Sequence, residues 1–167
     1  MQSIKAFLAA FLAAAAVSGL PAAAGESFPG GRFALVLIDV DSLSCSPCSA
    51  PLETLCRAVP PSVQEERIIG ILTYQDGRTP DPKRAGIVRT KWTGYSRAGG
   101  IRIRASVDEA HVFNRMNGEG ITVLLLDPSA GIIKRWAPPF PPGAVEAIVR
   151  FLLARESPIM EADPCFR

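Results

Sequence analysis

The chain has 167 residues, a length that corresponds to one domain of ordinary size. Hydrophobic residues make up 48% and charged residues 20%, which excludes a disordered, collagen-like or purely disulfide-built chain. The formal net charge is only +2, so there is no electrostatic case for nucleic acid as a partner. Four cysteines are enough for two disulfides in an oxidising compartment.

The first 24 residues have the layout of a secretory signal peptide. Lys5 precedes an uncharged run over 6–16, and small residues just before Gly25 suit cleavage there. The apolar run is shorter than the roughly 20 residues that a membrane-spanning helix needs. We therefore expect residues 1–24 to be removed and 25–167 to form a periplasmic or secreted domain without a membrane anchor. An uncleaved anchor is the alternative.

The next elements follow from apolar patterning. The unbroken apolar run over 33–38 is typical of a central strand that is covered on both faces. A short helix follows, with apolar residues at the i, i+3, i+4 and i+7 spacing: Leu52, Leu55, Cys56 and Val59. Residues 68–74 have the pattern of a second buried strand.

Residues 75–100 are rich in Gly, Pro and basic residues and show little periodicity, so we expect variable surface there, with a helix only over 85–92. A loose basic cluster in this stretch suits either a solvated face or an acidic partner: Lys83, Arg84, Arg89, Lys91 and Arg97. Residues 101–105 predict a short strand. The capping-box spacing from Ser106 to Glu109 then predicts a helix that ends near Met116.

The C-terminal part predicts a hairpin and a covering helix. Strands over 121–126 and 132–136 are joined by a turn rich in helix and strand breakers. An amphipathic helix follows over 144–155. The whole chain is therefore expected to be an α/β protein with a mixed sheet, helices on both faces, and a C-terminal β-hairpin followed by a helix.

The motif Cys45-Ser46-Pro47-Cys48 lies just past the first strand, at the entry to the first predicted helix. Backbone N–H groups and the positive helix end would stabilise a thiolate on Cys45, and a thiolate is the species that attacks a disulfide. Cys48 is one turn further on and can resolve a mixed disulfide by attacking Cys45. Because Pro51 would interrupt the first turns, the helix could instead begin at Ser49 and leave the pair on a loop.

Other interpretations of this pair stay open. They are a structural disulfide, a metal site and a pair of inert thiols. Zinc needs about four ligands, whereas the chain has one histidine, His111. Copper(I) accepts fewer soft ligands, so a copper chaperone that uses Cys45, Cys48 and His111 is one alternative function. A non-catalytic binding module with structural disulfides is the other.

Over residues 32–155 the chain resembles the thioredoxin-like superfamily, in particular its exported thiol–disulfide oxidoreductases. In thioredoxins an aspartate closes the central strand six residues before the first cysteine of a Cys-Gly-Pro-Cys motif. Here Asp39 stands six residues before Cys45, and Pro47 matches the proline of the motif. The resemblance implies that Cys45 attacks, that Cys48 resolves, and that Asp39, if buried, takes the proton that Cys48 loses.

The resemblance also implies a substrate-binding surface made by Ser46, Pro47 and the strand entry at Ile121 and Thr122. Relatives have a cis-proline at that entry, and Thr122 occupies its position here. A cis bond before a non-proline residue costs about 2.5–4 kcal/mol, so we expect the bond from Ile121 to Thr122 to be trans. The implied partners are a protein thiol or disulfide and a redox partner protein, and no cofactor or metal is expected.

A second disulfide is implied by the family fold, in which the first and last helices share a face and end near each other. Cys56 and Cys165 would then be paired. Such a bridge closes a loop of about 110 residues and is worth roughly 4–5 kcal/mol in the chain-entropy model. The alternative is that Cys56 is a small buried core residue.

Overall fold

Among the residues that the structure describes, five strands form one sheet. In the computed structural model the strands are β1 (Phe33–Asp39), β2 (Ile68–Thr73), β3 (Arg104–Val107), β4 (Ile121–Asp127) and β5 (Gly131–Trp136). Their order in the sheet is β3-β2-β1-β4-β5. Strands β1, β2 and β3 are parallel, whereas β4 is antiparallel to both β1 and β5. The structure describes residues 31–74, 82–109, 111–113, 116–117, 120–127 and 131–154.

In the described part of the chain, four helices connect or cover these strands: α1 (Ser46–Ala58), α2 (Pro61–Arg67), α3 (Pro82–Ala98) and α4 (Ala144–Leu153). A short 3-10 turn, Val40–Ser44, joins β1 to α1. The mixed sheet, the hairpin of β4 and β5, and the final helix confirm the predicted α/β fold. None of the helices in the described part of the chain has the length and apolar character needed to cross a membrane.

One face of the sheet packs against the helices. Ala34, Val36 and Ile38 of β1 alternate toward this face and are fully buried. Side chains from three helices complete the cluster: Leu52, Leu55 and Cys56 of α1, Val88 and Trp92 of α3, and Ile148 and Leu152 of α4. Helices α1 and α4 thus share this face, which confirms that part of the placement implied by the family fold.

The opposite face of the sheet packs against a different set of side chains. Leu35 and Leu37 of β1 point to it and pack with Phe113, while Met116 lies at the edge of the cluster. The helix predicted from Ser106 to about Met116 is wrong, because Ser106 lies in β3 and the described residues after it form turns. Within the described residues, the side chains that cover this face come from turns, so the helices that were expected on both faces of the sheet pack against one face only.

Asp108 explains why a turn replaces that helix. Its carboxylate accepts the backbone N–H groups of Val112 at 2.9 Å and of Phe113 at 2.7 Å. His111, which directly precedes Val112, has a φ of 54°, in the left-handed region that a right-handed helix does not use. The carboxylate thus holds Phe113 over the sheet, and the capping-box spacing was a misleading local signal.

Residues 75–100 are more regular than predicted, because α3 extends over 17 residues within them. The helix buries a narrow stripe made by Ala85, Val88 and Trp92. Gly86 and Gly94 lie on its exposed side, where an added Cβ would meet no atom within 4 Å. Because glycine has a low helix propensity, these two residues hid the helical pattern of α3 in the sequence. Packing of the buried stripe against the rest of the protein outweighs that low propensity.

Candidate functional site

A capped turn leads from the central strand to the cysteine pair. Asp39 ends β1 and is 3% exposed. Its carboxylate accepts the backbone N–H of Asp41 at 3.2 Å and the hydroxyl of Ser42, so it caps the 3-10 turn. The backbone N–H of Asp39 donates to the Gly120 carbonyl at 2.9 Å. Asp39 therefore connects the 3-10 turn to the last residue of β1 and to Gly120, the residue before β4.

Cys45 is the N-cap residue of α1 and is exposed, whereas Cys48 is half-buried in the first helical turn. The backbone N–H groups of Cys48 and Ser49 donate to the Cys45 carbonyl at 2.9 and 3.0 Å. The helix begins at Ser46, so a start at Ser49 is wrong and the pair lies at the positive end of the helix.

Two prolines shape the exposed rim of this turn. Pro47 is exposed in the first turn of α1, a position that tolerates proline because its missing N–H has no helical acceptor there. Pro51 lies inside the helix and has no N–H to donate four residues back. The carbonyl of Pro47 is thereby left without its usual helical donor beside the cysteines.

The entry to β4 faces Cys48 through Gly120. A Cβ added to Gly120 would lie 3.9 Å from the Cys48 Cβ and 3.3 Å from the Pro138 Cγ. Gly120 also has a φ of 97°, which L-residues with a side chain rarely adopt. Ile121 and Thr122 are buried within β4, paired with β1. The backbone that approaches the cysteines is thus that of Gly120, which the sequence analysis did not single out.

The positions of Gly120 and Pro138 are ordinary when the sequence is taken on its own. Gly120 immediately precedes the apolar run of β4, and Pro138 opens a proline-rich segment after β5. The peptide bond between Pro138 and Pro139 is cis, while the bond from Ile121 to Thr122 is trans, as predicted. A glycine at a strand entry is ordinary, and only the fold shows that it lies against Cys48.

A cluster of hydrogen bonds links α1 to α3, and it begins at Ser49, the residue after Cys48. The Glu53 carboxylate accepts the Ser49 hydroxyl at 3.0 Å and the Tyr95 hydroxyl at 2.9 Å. Burial raises the pKa of the Tyr95 hydroxyl above its ordinary value, and the Glu53 carboxylate raises this pKa as well. A hydrogen bond with Ser49 lowers the pKa, but the net shift is upward. Tyr95 thus stays a neutral donor, and the cluster fixes the two helices together.

An ion-pair cluster ties α3 to the turn before Cys45. Arg84 binds both carboxylate oxygens of Asp41, at 3.0 and 3.1 Å, and Lys91 binds one of them at 3.0 Å. Burial raises the pKa of Asp41, but the hydrogen bonds and positive charges of Lys91 and Arg84 outweigh it, so the pKa lies below its ordinary value. Asp41 is therefore ionised at neutral pH and holds both cations.

Cys56 lies in a different setting from the pair. It is buried in the core, and burial, together with the charge of Glu53, raises the pKa of its thiol to about 12. A thiol with that pKa is protonated at neutral pH and reacts poorly. Cys165 lies outside the described residues, as does the predicted signal peptide over 1–24, so pairing of Cys56 with Cys165 stays a prediction.

His111 lies on the turn over the second face rather than on a helix. Its ring packs edge-on against Tyr74, with ring centroids 4.9 Å apart. Within the residues that the structure describes, no group of three or more His, Cys, Asp or Glu side chains is arranged to hold a metal ion.

Comparisons with known proteins bear on the fold. No protein-family model matches the sequence, and no curated protein matches it. The solution structure of a thioredoxin-like protein from Porphyromonas gingivalis is similar, with a TM-score of 0.50 and 19% identity, covering 74% of this chain and 76% of that one.

Two crystal structures match at somewhat lower TM-scores. A candidate thiol:disulfide interchange protein DsbE from Chlorobium tepidum has 13% identity and a TM-score of 0.49, covering 75% of this chain and 79% of that one. A thioredoxin-like superfamily protein has 14% identity and a TM-score of 0.48, covering 81% and 91%. At such identities a structural likeness bears on the fold alone.

Proposed function

The chain has a thioredoxin-like fold, and we propose that it exchanges thiols and disulfides with other proteins through Cys45 and Cys48. The observation that carries this proposal is the exposure of Cys45 at the start of α1, with Cys48 half-buried one turn later. A foreign sulfur can reach the first cysteine, while the second is held nearby and shielded. This asymmetry suits one attacking and one resolving thiol.

The exchange has two balanced steps. The Cys45 thiolate attacks a partner disulfide, so a bond forms between Cys45 and one partner sulfur while the other partner sulfur leaves as a thiolate. The Cys48 thiolate then attacks the Cys45 sulfur and releases the second partner thiolate. Two electrons pass from the dithiol to the partner, and the protons of the two protein thiols end on the partner thiols. The reverse sequence oxidises a partner dithiol.

The neighbouring residues have supporting roles in this proposal. Asp39 caps the turn that presents Cys45, and its buried carboxyl is the proposed acceptor of the proton from Cys48. Ser46 and Pro47 line the exposed rim that a partner would contact. The Gly120 backbone, rather than the buried side chains of Ile121 and Thr122, is the proposed surface for the partner chain at the strand entry.

A loss-of-thiol variant tests this proposal. Cys45→Ser is expected to lower the rate at which the reduced protein cleaves a single-disulfide peptide by about 10³-fold or more, because serine does not attack disulfides, Cys48 is half-buried and Cys56 is buried in the core. The rate is measured from the release of peptide thiol. A Cys45→Ser variant that keeps the wild-type rate would refute the proposed function.

Export is part of the same proposal. Residues 1–24 are proposed to direct the chain to the periplasm or out of the cell, where a second redox protein would return the pair to its starting state. Sequencing the N-terminus of the mature protein tests this directly. Cleavage before Gly25 is expected, and retention of Met1 on the exported protein would contradict it.

The proposed disulfide between Cys56 and Cys165 has a measurable effect on stability. Replacing Cys165 with serine is expected to lower the free energy of unfolding by roughly 4–5 kcal/mol, since the loop of about 110 residues is no longer closed in the unfolded chain. Denaturant titration of the oxidised protein measures the change. Treatment with reductant is the control, because it should remove the difference between the variant and the wild type.

A further inference from the structure

Ser42 connects the end of β1 to both cysteines of the pair through its side chain and its backbone. Its hydroxyl donates to the Asp39 carboxylate. Its carbonyl accepts the backbone N–H of Cys45 at 3.0 Å, and the Cys45 carbonyl accepts the N–H of Cys48 at 2.9 Å. A continuous series of hydrogen bonds therefore runs from Asp39 through Ser42 to the two residues that carry the sulfurs.

Asp39 is the fixed end of this series. It is 3% exposed, it is the last residue of β1, and its N–H donates to the Gly120 carbonyl at 2.9 Å. Its two carboxylate oxygens accept different donors, the N–H of Asp41 at one oxygen and the hydroxyl of Ser42 at the other. Because the carboxylate is almost wholly buried, the loss of one of these donors is costly. The hydroxyl of Ser42 thus anchors the 3-10 turn to the sheet.

The second serine of the turn makes a weaker contact. Ser44 is exposed, and its hydroxyl donates to the Asp41 carbonyl at 3.4 Å, which is long for a hydrogen bond from a hydroxyl. This bond lies within the turn and does not reach the sheet. Of the two serines, Ser42 is therefore the one that connects the cysteine pair to the central strand.

Resting on the proposed function, we infer that Ser42 is a positioning residue for the second step of the exchange, in which Cys48 attacks the mixed disulfide on Cys45. That step is intramolecular, and a misplacement of about 1 Å can slow such a step by about 10²-fold. The first step is an encounter between the exposed sulfur of Cys45 and a partner from solution, so it depends less on how the backbone is held. The restraint from Ser42 therefore acts on resolution more than on attack.

Ser42→Ala tests the inference, because it removes the hydroxyl and keeps the backbone carbonyl. The reduced protein is mixed with a single-disulfide peptide and quenched with acid at successive times, and mass spectrometry measures the formation and the decay of the mixed disulfide. Decay is expected to slow about 10-fold or more, while formation changes by less than about threefold. Ser42→Thr retains a hydroxyl and should bring decay back to within about threefold of the wild-type rate.

Two control variants separate positioning from a general loss of stability. Ser44→Ala removes a hydroxyl from the same turn and should leave formation and decay within about twofold of the wild type. Leu152→Ala removes a core side chain of α4 and should leave the decay rate of the folded protein unchanged.

The two steps give separate outcomes. Unchanged decay in Ser42→Ala, equal slowing in Ser44→Ala or Leu152→Ala, or no recovery in Ser42→Thr would overturn the inference. Formation that slows as much as decay would also overturn it, since the effect would then not be specific to resolution. A wild-type protein that releases no peptide thiol would instead refute the proposed exchange itself.

Discussion

Replacing Cys48 with serine is expected to stop the exchange after its first step and leave the partner attached to Cys45. Cys48 lies one helical turn from Cys45, and its N–H donates to the Cys45 carbonyl at 2.9 Å, so its sulfur stays close to the one that it attacks. Well-oriented intramolecular groups act at effective concentrations of about 10⁵–10⁸ M. Without Cys48, the mixed disulfide should therefore last at least about 10³-fold longer.

Non-reducing electrophoresis over time measures this lifetime after the reduced variant is mixed with a single-disulfide peptide. The control is Cys45→Ser, which keeps Cys48 and should form no lasting adduct because the attacking sulfur is missing. A stable adduct on Cys45→Ser, or none on Cys48→Ser, would mean that the two cysteines do not have the roles proposed for them.

Replacing Leu152 with alanine is expected to lower the free energy of unfolding by about 2–5 kcal/mol, the usual cost of a cavity in a packed core. Leu152 is 1% exposed and belongs to the cluster that joins α4 to α1 and to the central strand. Denaturant unfolding monitored by tryptophan fluorescence gives the change.

The adjacent Leu153 supplies a matched control, because it is the same residue type in the same helical turn but is 46% exposed. Leu153→Ala is expected to change stability by no more than about 0.5 kcal/mol. Equal losses for the two variants would show that α4 does not cover the sheet with the face described above.

Elements with a strong burial pattern could be predicted from the sequence alone. Strand β1 is buried on both faces, so its run of apolar residues is unbroken and leaves no helical alternative. The hairpin of β4 and β5 could be predicted from neighbouring residues, because a short turn segment with Pro and Gly separates two apolar runs. The position of the cysteine pair at the start of α1 followed from the strand that precedes it.

Features that depend on contacts between distant residues could not be predicted. The side chain of Asp108 replaces the expected helix by bonding the N–H groups of Val112 and Phe113. Tyr95 and Glu53 are 42 positions apart, yet they join α3 to α1. Gly120 meets Cys48 only because β4 pairs with β1, so no local pattern marks it as part of the site.

The most direct test of the account is to identify the sulfur that first bonds to a partner. The reduced wild-type protein is mixed with a single-disulfide peptide, quenched with acid within the first turnover, digested and analysed by mass spectrometry. The peptide is expected on Cys45, the exposed residue at the start of α1. Attachment first to Cys48 or Cys56, or no attachment while the peptide is still cleaved, would contradict it.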